Sequence, residues 1–213
     1  MEPVILENFS IAIDPAAVRR FLGSKGRKRP APGRRYDDIL NEMTEVARRL
    51  IAPKGIYVYA AGRDLEGSKI FEHLDRMAFC VCTIGSALEA EVTRLSNGGE
   101  LLKAVVLDSI GSVAAEAVAE DIDAKIREES ARGGLKTSCR ASPGYGDWDV
   151  REQERIFRLL PAERIGVSLS KTCMMIPRKS ISFAMHIARE PENLRSESSC
   201  RNCGRTDCNY RID

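Results

Sequence analysis

Apolar positions along the chain follow two rhythms. From Asp37 to Leu50, the residues Ile39, Leu40, Met43, Val46, Ala47 and Leu50 recur about every 3.6 positions, which predicts an amphipathic helix. Pro53-Lys54-Gly55 ends it. The longest helical pattern runs from Leu101 to Ile126. Its first half is apolar on almost every side, so the helix is expected to be central and buried. A third helix is expected from Gly85-Ser86 through Leu95, stopped by Asn97-Gly98-Gly99. A short one over Val150–Leu160 is followed by a single turn at Pro161. Near the N-terminus, Asp14 is placed to cap a short helix with Pro15 in its first turn.

The second rhythm is that of strands. Gly55–Tyr59 is β-branched and aromatic, and Met77–Ile84 is a short apolar run suited to a buried strand. Ile11–Ile13 is strand-like and Lys136–Arg140 is a plausible strand, while Val167–Leu169 and Cys173–Ile176 are two further short segments whose type the pattern does not assign. In Ser180–Ile187, Ser180, Ser182, Ala184 and His186 alternate with Ile181, Phe183, Met185 and Ile187, and the second set predicts the core face. The expected fold class is α+β. It comprises one domain over residues 1–190, with a largely antiparallel twisted sheet packed by helices, and a Cys-rich tail over 191–213.

Composition narrows the classes. A chain of 213 residues, 43% hydrophobic and 30% charged, can bury a core without disulfide staples. A net charge of +2 argues for neither nucleic acid nor a membrane surface. No apolar run approaches the roughly 20 residues of a spanning helix. The first residues carry acids and no basic region, unlike a secretory signal, so a cytoplasmic protein is expected. Between Arg19 and Arg35 stand eight basic residues and no acid. That stretch is either a solvated loop or a docking surface for a phosphate or an acidic partner.

Two places carry candidate chemistry. Glu116 lies in the long helix between Ala115 and Ala117. Small neighbours leave space beside its carboxylate, which faces either solvent or a ligand. Residues 139–148 form a turn around Pro143-Gly144 that also holds Arg140, Tyr145 and the single Trp, Trp148. An Arg fixed at a strand end can fork two hydrogen bonds onto a carboxylate or phosphate. The backbone of Ala141 and Gly144 could accept a flat heterocycle, and Tyr145 offers a hydroxyl and a π-face. The plainer reading is a loop with an aromatic clasp, in which Trp148 packs the turn down. His186 is expected to be structural and His73 to be on the surface.

Three segments in one order decide between these readings. They are Ala115-Glu116-Ala117, Arg140-Ala141-Ser142-Pro143-Gly144-Tyr145, and Leu169–Ser182 with Pro177, Ser180 and Ser182. Together, over roughly residues 101–188, they resemble the activation (reactivation) domain of cobalamin-dependent methionine synthase. The resemblance implies binding of S-adenosylmethionine and reductive methylation of cob(II)alamin to methylcobalamin, with an electron from flavodoxin or ferredoxin. By the same resemblance, Arg140 binds the methionyl carboxylate and Glu116 the polar end of the ligand. Ala141 and Gly144 meet it through backbone, and Tyr145 lies near the sulfonium and the corrin as the catalytic candidate. The family's Asp-Trp-x-Pro-Phe-Phe segment is absent here. So is the cobalamin-binding Asp-x-His-x-x-Gly signature, so the corrinoid is expected on a partner methionine synthase served in trans. The alternatives are another corrinoid methyltransferase as client, or a metal-binding interaction module without catalysis.

Seven cysteines are many for a cytoplasmic chain, and an odd number cannot all pair. Cys200, Cys203 and Cys208 form C-x2-C-x4-C, a spacing that can chelate one soft metal centre. Cys173, Cys139, Cys80 or Cys82 could supply a fourth ligand. An iron–sulfur cluster that relays an electron, a structural zinc, an unliganded tail and a redox-labile thiol group are all compatible with this spacing. The order is not the C-x3-C-x2-C of radical S-adenosylmethionine enzymes.

Overall fold

The computed structural model describes residues 2–22, 34–145, 148–192 and 194. Most of the basic 19–35 stretch and the cysteines of the tail lie outside the described residues.

The core is a five-stranded sheet in the order β1-β2-β3-β7-β4, antiparallel at every pairing. Its strands are β1 (Val4–Leu6), β2 (Lys54–Ala60), β3 (Met77–Thr83), β4 (Lys136–Thr137) and β7 (Ser180–Ala188). A two-stranded ribbon, β5 (Ser168–Leu169) with β6 (Met175–Ile176), stands beside it. The helices are α1 (Pro15–Phe21), α2 (Arg34–Leu50), α3 (Ala87–Asn97), α4 (Leu101–Arg132) and α5 (Gln153–Leu159). The expected α+β class with an antiparallel sheet is what the chain adopts. None of these helices is long and apolar enough to cross a membrane.

Local rules account for most boundaries. The Asp14 carboxylate accepts from the amides of Ala16, at 2.8 Å, and Ala17, at 3.1 Å, and Pro15 opens α1 where its missing N–H costs nothing. The strand expected at Ile11–Ile13 does not form, and β1 lies earlier, at Val4–Leu6. The alternation of Phe9, Ile11 and Ile13 instead packs extended chain against the helical core. The long helix runs six residues past Ile126, to Arg132. Beyond Ile126 it is held by β2, where the Tyr57 and Tyr59 hydroxyls both donate to the Glu129 carboxylate, at 3.0 and 2.6 Å. Burial and that carboxylate raise both phenols above their usual pKa.

Both faces of the sheet are covered. Tyr57, Ala78, Cys80, Cys82, Phe183, Met185 and Ile187 pack towards the helical layer dominated by α4. Ile56, Val58, Met77, Phe79, Val81 and Ala184 pack towards a second layer built from Trp148, α5 and the 3-10 turn Ala162–Ile165. Every residue of β3 is therefore buried, which explains its unbroken apolar run. The Ile181–Ile187 face of β7 points to the helices as expected. Its opposite face is buried as well, and its polar groups are paired. Ser180 Oγ donates to Pro177 O and contacts Thr83, and Ser182 Oγ donates to Gln153 Oε1 at 2.8 Å. Gln153 in turn donates to Cys173 O. Buried hydroxyls persist in a sheet only when satisfied in this way.

His186 is the titratable member of that face. Its Nδ1 accepts from the Glu192 amide at 2.8 Å, which only the neutral ring can do, and burial lowers its pKa. The folded state therefore binds fewer protons than the unfolded chain just below pH 6.5. The stability His186 contributes is complete above its unfolded pKa and is lost as pH falls through the lower folded value. Thermal melts at decreasing pH should show a steeper loss of Tm below about pH 6.5 in the native protein than in His186→Gln. Equal slopes would remove His186 from the account.

Candidate functional site

The site lies where α4 passes the segment between β4 and the Pro143-Gly144 turn. The fifth strand is shorter than its sequence suggests. The β4 ladder ends at Thr137, and pairing with β7 resumes only at Ala141, opposite Ala184. Between them Ser138 holds to His186 through backbone and side chain, and Arg140 leaves the sheet edge towards α4.

There Arg140 meets two carboxylates of α4. Its Nη2 donates to Glu116 Oε1, and its Nε lies 3.8 Å from Asp123 Oδ2. The guanidinium carbon sits 5.4 Å from the centre of the Phe183 ring, within cation–π range. Glu116 and Asp123 are seven residues apart, two turns of helix, so they share one face. Asp108 and Ser112 continue that face towards the N-terminus, where both contact Lys179 Nζ at 2.8 Å. Arg140 and Lys179 therefore each cap part of one polar stripe. The side chain of Glu116 is 45% exposed, whereas those of Arg140 and Asp123 are 15% and 18% exposed. The accessible end of the pair is its carboxylate, and the cation is fixed beneath it.

The turn places the remaining candidates unequally. Ala141 is buried against β7, its N–H donating to Ala184 O and its C=O accepting from Ala184 N. The open backbone expected there is reduced to the second lone pair of its carbonyl. Gly144 has φ of +91°, a conformation suited to glycine, and donates its N–H to Trp148 O. Trp148 packs edge-on against Phe71 with centroids 4.8 Å apart and is buried, so it pins the turn down. Tyr145 is 77% exposed, with its ring open to solvent at the turn. The structure thus gathers Glu116, Arg140 and Ala141, leaves Gly144 and Tyr145 at the edge, and adds Asp123 and Phe183. Ser180 and Ser182, by contrast, serve the fold. Asp123 had one legible signal, its position two turns from Glu116 on the polar stripe of a helix that is otherwise largely buried.

The cysteines divide sharply. Cys200, Cys203 and Cys208 lie outside the described residues. Cys80 and Cys82 are fully buried beneath α4, where desolvation and their mutual contact push the Cys80 thiol well up. A raised thiol is a poor ligand and a poor nucleophile. Cys173 is buried too, and Cys139 is exposed beside Arg140. No group of three or more His, Cys, Asp or Glu side chains among the described residues could hold a metal ion.

A family model described as vitamin B12-dependent methionine synthase, activation domain, matches residues 64–194, more than half of the chain. The chain belongs to this family of activation domains. The match begins well before residue 101, where the sequence resemblance starts, and so includes β3 and α3. Among solved structures, the MetH reactivation domain bound to AdoHcy shares the fold with a TM-score of 0.65 and 15% identity. The alignment covers 90% of this chain and 80% of that one. None of the curated proteins matches.

Proposed function

We propose that this activation domain binds S-adenosylmethionine between α4 and the 140–145 turn. There it supports reductive methylation of cob(II)alamin on a cobalamin-bearing methionine synthase, acting in trans. The observation that carries the proposal is the Arg140–Glu116 ion pair at the mouth of the site. An amino-acid zwitterion carries the complementary pair of charges. Inserted between the two side chains, it replaces one ion pair by two, with Arg140 on its carboxylate and Glu116 on its ammonium. The solved relative holds AdoHcy, the demethylated counterpart of this ligand.

Each residue then has a defined task. Arg140 arrives already oriented, because Phe183 and Asp123 hold it from beneath. The Ala141 carbonyl and the edge of Gly144 meet the adenosyl group. Tyr145 closes the rim, where its π-face stabilises a sulfonium cation and its exposure lets it meet the corrin of a docked partner. Holding the methyl group against the partner's cobalt supplies proximity. The balance needs one electron from a flavodoxin- or ferredoxin-type donor and leaves S-adenosylhomocysteine. Cys200, Cys203 and Cys208 complete the proposal as a soft metal centre, either an iron–sulfur cluster or zinc. Metal analysis after anaerobic purification should find iron or zinc that Cys203→Ser loses, and a metal-free native protein would refute this part.

Calorimetric titration with S-adenosylmethionine tests the binding claim. Saturable binding with one site per chain is expected, with S-adenosylhomocysteine competing for the same site. Absence of binding by both ligands would overturn the reading and favour an interaction module.

A further inference from the structure

Asp123 and Arg127 are not among the residues assigned to ligand, yet both bear on Arg140. Arg127 is one turn along α4 from Asp123 and reaches across to the segment that carries Arg140. Its Nη1 donates to Thr137 Oγ1 at 2.7 Å and to Thr137 O at 3.4 Å, and its Nη2 donates to Ser138 O at 3.0 Å. Asp123 lies between the two guanidinium groups. Arg127 Nε is 2.8 Å from its Oδ1, a charge contact too oblique for a hydrogen bond, and Arg127 Nη2 donates to Oδ2 at 3.4 Å. Oδ2 also faces Arg140 Nε at 3.8 Å.

This arrangement bridges the gap in the sheet. Residues 138–140 lie between the end of β4 and the bridge at Ala141, so few ladder bonds fix the backbone that aims Arg140. Arg127 pins that backbone to α4, and Asp123 pins the base of the Arg140 side chain to the same helix. Two long side chains that would otherwise sample many rotamers are thereby ordered before ligand arrives, which lowers the cost of binding.

We propose that Asp123 and Arg127 are positioning residues that hold Arg140 for the carboxylate end of its ligand. This rests on the reading that Arg140 binds the carboxylate of S-adenosylmethionine. A positioning role acts on one end of the ligand only, and a general structural role acts on both. The test compares two ligands by calorimetry, S-adenosylmethionine and 5′-methylthioadenosine, which keeps the adenosine and the sulfur but has no amino-acid end. Asp123→Asn and Arg127→Met should each weaken S-adenosylmethionine about tenfold, as loss of a charged contact does. Their affinity for 5′-methylthioadenosine should stay at the native value. Equal losses for both ligands, or none for either in both variants, would overturn the proposal. Failure of the native protein to bind S-adenosylmethionine would instead refute the functional reading on which it rests.

Discussion

Arg140→Ala should weaken S-adenosylmethionine binding on the order of 100-fold, about 2.7 kcal/mol, the range for truncating one partner of a largely desolvated charge pair. The size follows from its position. The Arg140 side chain is only 15% exposed, lies over Phe183 and faces both Glu116 and Asp123. Its removal takes a cation away from Glu116 and leaves Arg127 as the cation beside Asp123. The incoming ligand carboxylate would then meet repulsion rather than a fork of donors. Arg140→Lys keeps the charge and gives up the planar fork, so its loss should be intermediate. Calorimetry on the three proteins checks the order, and an alanine variant that binds as tightly as the native protein would separate Arg140 from the ligand.

Phe183→Ala should cost about 3–5 kcal/mol of folding stability, the range for truncating a buried aromatic side chain. Phe183 is fully buried on the helical face of β7, in the centre strands of the sheet, with α4 above it. For a chain of this size the loss corresponds to a fall in Tm of about 10 °C, measurable by calorimetric melting. Phe183→Leu keeps most of the apolar volume and removes the π-face under Arg140. It should lose little Tm while weakening ligand binding by a few-fold, about 0.5–1 kcal/mol. If both variants melt with the native protein, the burial account of this strand fails.

These effects show which parts of the molecule local sequence can reveal. The strands β2 and β3 and the helix α4 were legible because their own side chains create the pattern, with α4 apolar on nearly all sides because it is buried. The second buried face of β7 was not legible. Ser180, Ser182 and His186 look like a solvent face until Thr83 and Gln153 arrive from distant positions, and the Glu192 amide folds back from just beyond the strand, to satisfy them. Ile11–Ile13 showed strand alternation, but alternation reports only which side is buried, and the partner strand that would make a ladder is not there. That Arg140 and Glu116 lie together was reached through motif resemblance, since 24 residues separate the two and no periodicity links them, whereas their direct ion pair was not expected. Asp123 could be placed on the Glu116 face, but its role could not be read, for another reason. Its role depends on where β4 ends, and that end is set by the departure of residues 138–140 towards α4.

The central claim is that this chain uses S-adenosylmethionine to methylate a corrinoid held by a partner protein. The most direct measurement is an anaerobic spectrophotometric assay with this protein, a cobalamin-loaded methionine synthase in the cob(II)alamin state, S-adenosylmethionine and a reductant. The account predicts conversion of the cob(II)alamin spectrum to that of methylcobalamin, dependent on both S-adenosylmethionine and this protein and lost with Arg140→Ala. A cob(II)alamin spectrum unchanged by this protein, with any corrinoid partner offered, would contradict it.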